Sequence, residues 1–397
     1  MRRLKVAVLG WEPPSQSRVV TGAGMYLSYL TELGAFARAR GRKLNLTFIV
    51  PSQRDGVVHR EGYRVLFVRT QRFCEGRRYD ADVLYPTTKR FAERLLGKRS
   101  LVDLKKFDVV LATSFAFGEL IARVGLDKLV YISHRPEFLR EKLTERFRVR
   151  MASKCRLRRD AKLEAKAIEN SGRTITVSEA CRRELARRFN RGRIDVIYNG
   201  VDTKLFSRAT CESNRKSVFT YAGRNHPEKG VGLLLRGVQR AIDRGCSDFE
   251  VRLFTEDGAS LRQAAKRMGL SKYVKLMEWR RLRELPRHYS ASTFTIMPSY
   301  WESFSYATAE GMACEVPAIV STAGALPEIV SDGVGLRFKA GSEHELAHRL
   351  EEACSCDPER AAEMGRRGRM RVKQRFSKKA FLSNYLRYVE RFADGCN

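Results

Sequence analysis

Short, continuous apolar runs recur along this chain in two successive series, each run bounded by turn residues and followed by a helical stretch. The first series lies at residues 6–9, 44–50, 65–68, 108–113, 130–133, 174–177 and 195–198. The second lies at 218–222, 251–254, 274–277, 294–297 and 318–320. Runs that are apolar throughout, rather than alternating with polar residues, fit strands covered on both faces of a parallel sheet. Strand and helix in alternation therefore predict two doubly wound α/β halves, with ligand expected beyond the carboxyl ends of the strands.

Length agrees with this division, because 397 residues are long for one core and suit two domains of about 150 to 200 residues. The polar stretch 207–216 separates the two series and is the expected linker. The expected organisation is a first domain over 1–206, a second over 217–376, and a final segment over 377–397. That segment carries Phe381, Leu382, Tyr385, Leu386, Tyr388 and Val389 at helical spacing.

An apolar share of 43% supports packed globular structure, and no run of about 18 apolar residues is present to suggest a membrane span. The stretch Val6-Ala-Val-Leu-Gly10 is too brief for a signal segment and reads as the first strand. Nine cysteines are scattered without a Cys-x-x-Cys pair or a Cys/His cluster. A disulfide framework or zinc site is thus not expected, and the thiols fit a reducing cytoplasm. The balance of 76 Lys plus Arg against 45 Asp plus Glu, a net +31, attracts polyanions of any kind.

Two strand-to-helix junctions in the second half carry the chemistry. After the run at 294–297 comes Pro298-Ser-Tyr-Trp-Glu302-Ser-Phe-Ser305-Tyr306-Ala307-Thr-Ala-Glu310. A helix starting near Ser305 offers unpaired N–H groups to an anion, with one glutamate before it and one within it. Such a site suits a ligand with hydroxyls at both ends and phosphate in the middle, the shape of a nucleoside diphosphate sugar. After the run at 218–222, Arg224 and Lys229 in Gly223-Arg-Asn-His-Pro-Glu-Lys-Gly230 can reach one diphosphate, as a planar fork and a point charge. Taken alone, that loop is equally well a solvated turn with chance cations.

The order and spacing of several motifs resemble glycosyltransferase family 4, the retaining enzymes of the GT-B fold. They are Val177-Ser-Glu-Ala, Asp195-Val-Ile-Tyr-Asn-Gly-Val-Asp202, the Arg224/Lys229 loop, Glu302 with Glu310, and Ala323-Gly-Ala-Leu-Pro-Glu328 with Asp332-Gly-Val-Gly335. The resemblance spans nearly the whole chain. It departs at Glu315, where the family usually has glycine, and at Ala323-Gly324-Ala325, where a Gly-Gly pair is common.

The resemblance implies a GT-B fold, two Rossmann-like domains facing across a cleft, with the final helix crossing back to the first domain. It implies that Glu302 binds the transferred sugar, that Glu310 binds the ribose, and that the N–H groups of Ser305, Tyr306 and Ala307 hold the diphosphate. Arg224 and Lys229 would neutralise the leaving group in place of a metal. The base is expected near Met277 and Glu278. Gly22 and Gly24, which open a helix after the first strand, would face the diphosphate; by local sequence they serve packing equally well. His134 follows the strand at 130–133 and would hydrogen-bond to the sugar, although a lone histidine is more often structural.

No cofactor is expected beyond the nucleotide-sugar donor, and no metal. The acceptor is expected to be a glycan or lipid-linked sugar. Between Arg135 and Arg193 there are 19 basic and 8 acidic residues, with Arg146, Arg150, Lys154, Arg158, Lys162 and Lys166 at spacing four. That stripe suits peripheral docking on the anionic inner face of a membrane, or is simply a solvated face. Rival readings are a sugar-nucleotide epimerase, a phosphorylase, an inactive sugar-nucleotide sensor and a nucleic-acid-binding protein. For the last, no helix-turn-helix, zinc-finger or stacking-aromatic motif is present.

Overall fold

The computed structural model describes residues 2–10, 22–70, 81–97, 100, 102–124, 127–146, 151–189, 194–210, 216–256, 258–278 and 281–395. The chain divides into two units: Met1–Ile197 with Phe381–Asn397, and Tyr198–Ala380. This division lies upstream of the expected 207–216 linker, of which 211–215 fall outside the described residues. Residues after Tyr198 are tied into the second unit. Val201 forms a bridge with Ser377, Lys378 Nζ donates to Asp202 Oδ2 at 2.8 Å, and the Phe206 ring lies 6.3 Å from that of Tyr289.

The first unit contains strands β1 (Leu4–Leu9), β2 (Leu44–Ser52), β3 (Gly56–Arg60), β4 (Tyr63–Arg69), β5 (Val109–Ala112), β6 (Leu129–Ser133), β7 (Arg173–Thr176) and β8 (Ile194–Val196). Their order in the sheet is β3-β4-β2-β1-β5-β6-β7-β8. All pairs are parallel except β3 with β4. The seven strands expected from apolar runs are present, and β5 and β6 are buried along their whole length. Strand β3 was not expected. All its residues are exposed, and it folds back on β4 through a hairpin in which Gly62 takes φ 86°, so no apolar run announces it.

The final helix, Lys378–Ala393, brings its apolar stripe into the first unit from Phe381 onward. Phe381 and Tyr385 meet Tyr26 edge-on at 5.4 and 5.6 Å, and Phe381, Leu382, Tyr385, Leu386 and Val389 are all buried. An i, i+1, i+4, i+5, i+8 pattern places these residues on one face, which is why the stripe was legible.

The second unit contains β9 (Ser217–Ala222), β10 (Phe249–Phe254), β11 (Val274–Met277), β12 (Phe294–Met297), β13 (Ala318–Ser321) and β14 (Gly335–Phe338). The order is β11-β10-β9-β12-β13-β14, parallel throughout. This is the doubly wound arrangement in which strand order reverses between the first and fourth strands, β9 and β12. Sequence periodicity missed only β14. In that edge strand Phe338 alone is buried, and Gly335 approaches Ala318 so closely that a Cβ would stand 2.4 Å from its carbonyl oxygen.

Candidate active site

The two loops singled out by sequence leave β9 and β12, the neighbours between which the strand order reverses. Backbone packing brings them together. Gly230 takes φ 72°, and a Cβ there would lie 2.0 Å from the carbonyl oxygen of Pro298. The Tyr300 N–H donates to the Glu228 carbonyl at 2.8 Å. A third loop, after β13, closes on the same point. Gly324 at φ 56° would place a Cβ 2.1 Å from the Glu302 carbonyl oxygen, and the Ala325 N–H donates to that oxygen at 2.8 Å. Glycine at 324 is therefore required by a close approach, and the alanines flanking it are tolerated.

These contacts set the side chains. Lys229 Nζ lies 2.8 Å from Glu302 Oε1, and the Ser299 hydroxyl donates to the same oxygen at 2.9 Å. Glu302 is only 6% exposed, so its charge is held by a cation and a hydroxyl rather than by bulk water. Arg224 pairs not with Glu302 but with the buried Glu228, Nη2 to Oε1 at 3.9 Å, and His226 Nδ1 is 3.7 Å from that oxygen. Arg224 remains 60% exposed at its side chain, which leaves the guanidinium available to a ligand.

Past Glu302, Ser305 takes φ 84°, an uncommon left-handed conformation for a residue with a side chain, and stands just before the helix Tyr306–Ala313 with its hydroxyl on that of Thr308 at 2.9 Å. The first N–H groups of that helix have no intrahelical carbonyl to meet. Glu310, one turn further along, is buried and accepts from the Tyr289 hydroxyl at 3.2 Å. Burial pushes its carboxyl up to about 7, with the Tyr289 bond only partly opposing it. Lys229 and Glu302 are thus in contact, whereas Arg224 and Glu310 are each bound to residues that sequence did not single out.

Glu315 resolves one departure noted in the sequence. It holds φ 62°, the left-handed conformation usual for glycine, and its Oε1 lies 3.6 Å from Arg369 Nε. The turn geometry associated with glycine is retained by a glutamate.

A separate cleft of about 660 Å³ opens in this unit at the carboxyl ends of β10 and β11, with Thr255, Glu256, Arg262, Lys266, Met277 and Glu278 on its walls. Met277 and Glu278, expected beside the base, line it. Arg224, Lys229, Glu302 and Glu310 do not.

In the first unit, Gly22 and Gly24 fall in the opening turn of the helix Gly22–Thr31. His134 follows β6, its ring edge-on to Tyr26 at 4.5 Å between centroids. Both ring nitrogens are buried without a hydrogen-bond partner, and burial lowers the imidazole to about 4. The ring is neutral at ordinary pH and able to donate one hydrogen bond and accept another.

The turn carrying His134 is clamped by Glu164, a residue that sequence did not single out because it lies within a run of basic residues. Ser133 and Tyr131 hydroxyls donate to Glu164 Oε1 at 2.8 and 3.2 Å, and the Glu137 N–H donates to Oε2 at 2.5 Å. One carboxyl therefore bridges both sides of residues 134–136. Burial, then the nearby Glu137 charge, raises Glu164 to about 8.

The basic stripe falls on two described helices, Glu137–Arg146 and Met151–Asn170, with Arg150 outside the described residues. Arg158, Lys162 and Lys166 are exposed, and Lys166 is paired with Glu119. Among the described residues no helix is long and apolar enough to cross a membrane, and no group of three His, Cys, Asp or Glu is placed to hold a metal ion.

Two family profiles match this chain: Glycosyltransferase Family 4 over residues 28–205 and Glycosyl transferases group 1 over residues 216–355. The chain belongs to glycosyltransferase family 4. Among its relatives is the alpha-maltose-1-phosphate synthase of Mycolicibacterium smegmatis, 29% identical over 244 residues, 54% of this chain and 62% of that protein. The chain spans about half the length of the first curated relatives it matches. By structure it is similar to sucrose-phosphate synthase from Thermosynechococcus elongatus, with a TM-score of 0.75, 19% identity, and 99% and 100% of the two chains covered. It is also similar to Anabaena HepE in complex with UDP and glucose, with a TM-score of 0.64, 18% identity, and 98% and 100% covered. At such identities these likenesses establish the GT-B fold of two parallel-sheet domains.

Proposed function

We propose that this protein is a retaining glycosyltransferase that moves a sugar from a nucleoside diphosphate donor to a hydroxyl of a glycan, sugar phosphate or lipid-linked acceptor. The observation that carries this reading is the Lys229–Glu302 pair at the point where strand order reverses, beside a helix start. The family of the chain supports it, as do the UDP and glucose in the HepE structure and the sugar phosphate in the relative's name.

In this proposal the diphosphate takes up the N–H groups of Ser305, Tyr306 and Ala307, while Arg224 and Lys229 neutralise the charge that develops as it leaves. Glu302 holds hydroxyls of the transferred sugar, Glu310 holds the ribose, and the base lies near Met277 and Glu278. His134 donates a hydrogen bond to the sugar, and Gly22 and Gly24 allow close backbone approach to the phosphates. The acceptor oxygen bonds to the anomeric carbon on the face from which the diphosphate departs, and its proton passes to the departing phosphate oxygen. Arg224, Lys229 and the helix start do the work a divalent cation would otherwise do, and no cofactor beyond the donor is invoked.

A thermal-shift panel of UDP-, GDP- and ADP-sugars, followed by turnover with the best binder, tests the reading. Stabilisation by one donor class and transfer to an acceptor are expected. Turnover of donor alone would point to an epimerase, and a requirement for inorganic phosphate to a phosphorylase.

For location, we propose a cytoplasmic protein that docks peripherally on anionic lipid through the basic stripe around Arg146, Arg150, Lys154 and Arg158. Co-sedimentation with vesicles should rise with their anionic lipid content. Association independent of that content would overturn the docking.

A further inference from the structure

Two helices on one face of the second unit run side by side in the same direction, and a single seam records their register. Near the start, Arg236 Nε and Arg240 Nε donate to Glu343 at 2.6 and 2.8 Å. In the middle, Gly237 packs so tightly on Leu346 that a Cβ would stand 2.7 Å from its Cδ2. Further on, Arg244 Nε lies 2.5 Å from Glu351 Oε1. Where the seam ends, Cys246 Sγ meets Cys354 Sγ at 3.2 Å. From Gly237–Leu346 to Arg244–Glu351 to Cys246–Cys354 residue numbers rise together along both partners, so the thiol contact is the last rung of a register fixed by the contacts before it.

We propose that Cys246 and Cys354 are an oxidation site, a thiol pair that closes to a reversible disulfide when the protein meets a peroxide. Both residues are partly exposed, so a small oxidant can reach them. Each stands where the chain can give. Cys354 is the last residue of the helix Glu343–Cys354, and Cys246 follows Gly245, which takes φ 95° just past the helix Val231–Asp243. Side-chain rotation and a small backbone shift can bring the sulfurs from 3.2 Å to the disulfide length of about 2.0 Å.

The chemistry balances with hydrogen peroxide as oxidant. Burial holds the Cys354 thiol in its protonated form, its contact with Cys246 adding to the effect, so Cys246 meets the peroxide first. Its sulfur bonds to one oxygen as the O–O bond breaks. The departing hydroxide takes the thiol proton to become water, and a sulfenic acid remains. Cys354 Sγ then attacks the sulfenic sulfur, the S–S bond forming as S–O breaks, and the hydroxyl leaves with the Cys354 proton as a second water. Two thiols are oxidised and one peroxide is reduced.

The site is independent of the proposed activity and needs no substrate to test. Reduced full-length protein is treated with hydrogen peroxide, and free thiols are counted before and after. A non-reducing peptide map identifies the linked pair. The expected result is a loss of two thiols per chain, one linked peptide joining Cys246 to Cys354, and a higher unfolding midpoint that dithiothreitol reverses. Cys246→Ser and Cys354→Ser should each abolish the linked peptide and the midpoint shift. The wild-type map decides the matter even where a variant folds poorly. Recovery of Cys246 as a sulfinic acid, or its linkage to Cys356 or any other cysteine, would overturn the proposal.

Discussion

The two units share one plan, a parallel sheet with candidate site residues beyond the strand ends, but the loop pair after β9 and β12 and the turn after β6 handle buried charge differently. In the second unit, the two buried carboxylates of the paired loops are matched by cations, Glu302 by Lys229 and Glu228 by Arg224, while Glu310 in the helix beyond rests on Tyr289. In the first unit, Arg140 and Arg156 reach Glu137 and Asp160 from the rim, but Glu164 lies close to Glu137 with hydroxyls and an N–H as its hydrogen-bond donors. The strand end beside it presents a histidine whose ring nitrogens have no hydrogen-bond partner among the described residues. Burial resolves that crowding by removing charge. It lifts Glu164 to about 8 and Asp160 to about 6, and lowers His134 to about 4. The proposed function gives this difference a use: cations held in place would serve a diphosphate, and neutral donors and acceptors would serve sugar hydroxyls.

The largest expected effects test the charged side of this contrast. Lys229→Ala should impair donor binding and turnover together, with turnover falling by about 100-fold or more, the usual consequence of losing one preorganised electrostatic contact. Glu302→Gln should reduce turnover more than donor affinity, since it removes the carboxylate charge while keeping an oxygen that accepts from Lys229 and leaving the phosphate contacts intact. Titration calorimetry and initial rates separate the two, and equal modest losses would break the role assignments.

Next comes the backbone that brings the pair together. Gly230→Ala must place a methyl group against Pro298 in a left-handed conformation, and a loss of about 2 to 3 kcal/mol in denaturant unfolding is expected. A stability like that of the wild type would show that the close approach of Gly230 to Pro298 does not hold the two loops together.

On the neutral side, His134→Ala should lower turnover by roughly tenfold, the worth of about one hydrogen bond, and His134 itself should show no ionisation above about 4 in the wild type. An ionisation of His134 near neutrality, followed by NMR, would remove the contrast between the units. Glu164 offers a gentler test through stability. Its carboxyl stays protonated in the folded chain up to about 8 but ionises near 4.5 when unfolded. Its contribution to folding is therefore complete below 4.5 and is lost as pH rises through about 8. Thermal midpoints of the wild type should fall more across that window than those of Glu164→Gln, and parallel curves would argue against the raised value.

The smallest effect is expected at Glu315→Gly. Relief of the left-handed strain, the added freedom of the unfolded chain and the loss of the Arg369 contact should cancel to within about 1 kcal/mol.

Much of the framework could be read from residues close together in sequence. Twelve apolar runs became strands, and the loops after β9 and β12 were recognised by their cations and carboxylates. What escaped was short, exposed or paired over distance. Strand β3 carries no buried residue, β14 buries only Phe338, and Ser299, Glu228, Tyr289 and Glu164 look like ordinary polar positions until the partner across the fold is known.

By itself the sequence determined the parallel strands, the helix starts and the residue types set at their ends, because periodicity and turn chemistry act over a few neighbouring residues. Only the tertiary structure decided that Lys229 meets Glu302, that Glu164 clamps the turn of His134, and that Cys246 comes to rest on Cys354. Those contacts depend on sheet order and on the register of packed helices, and neither is encoded in the local spacing of the residues that finally touch.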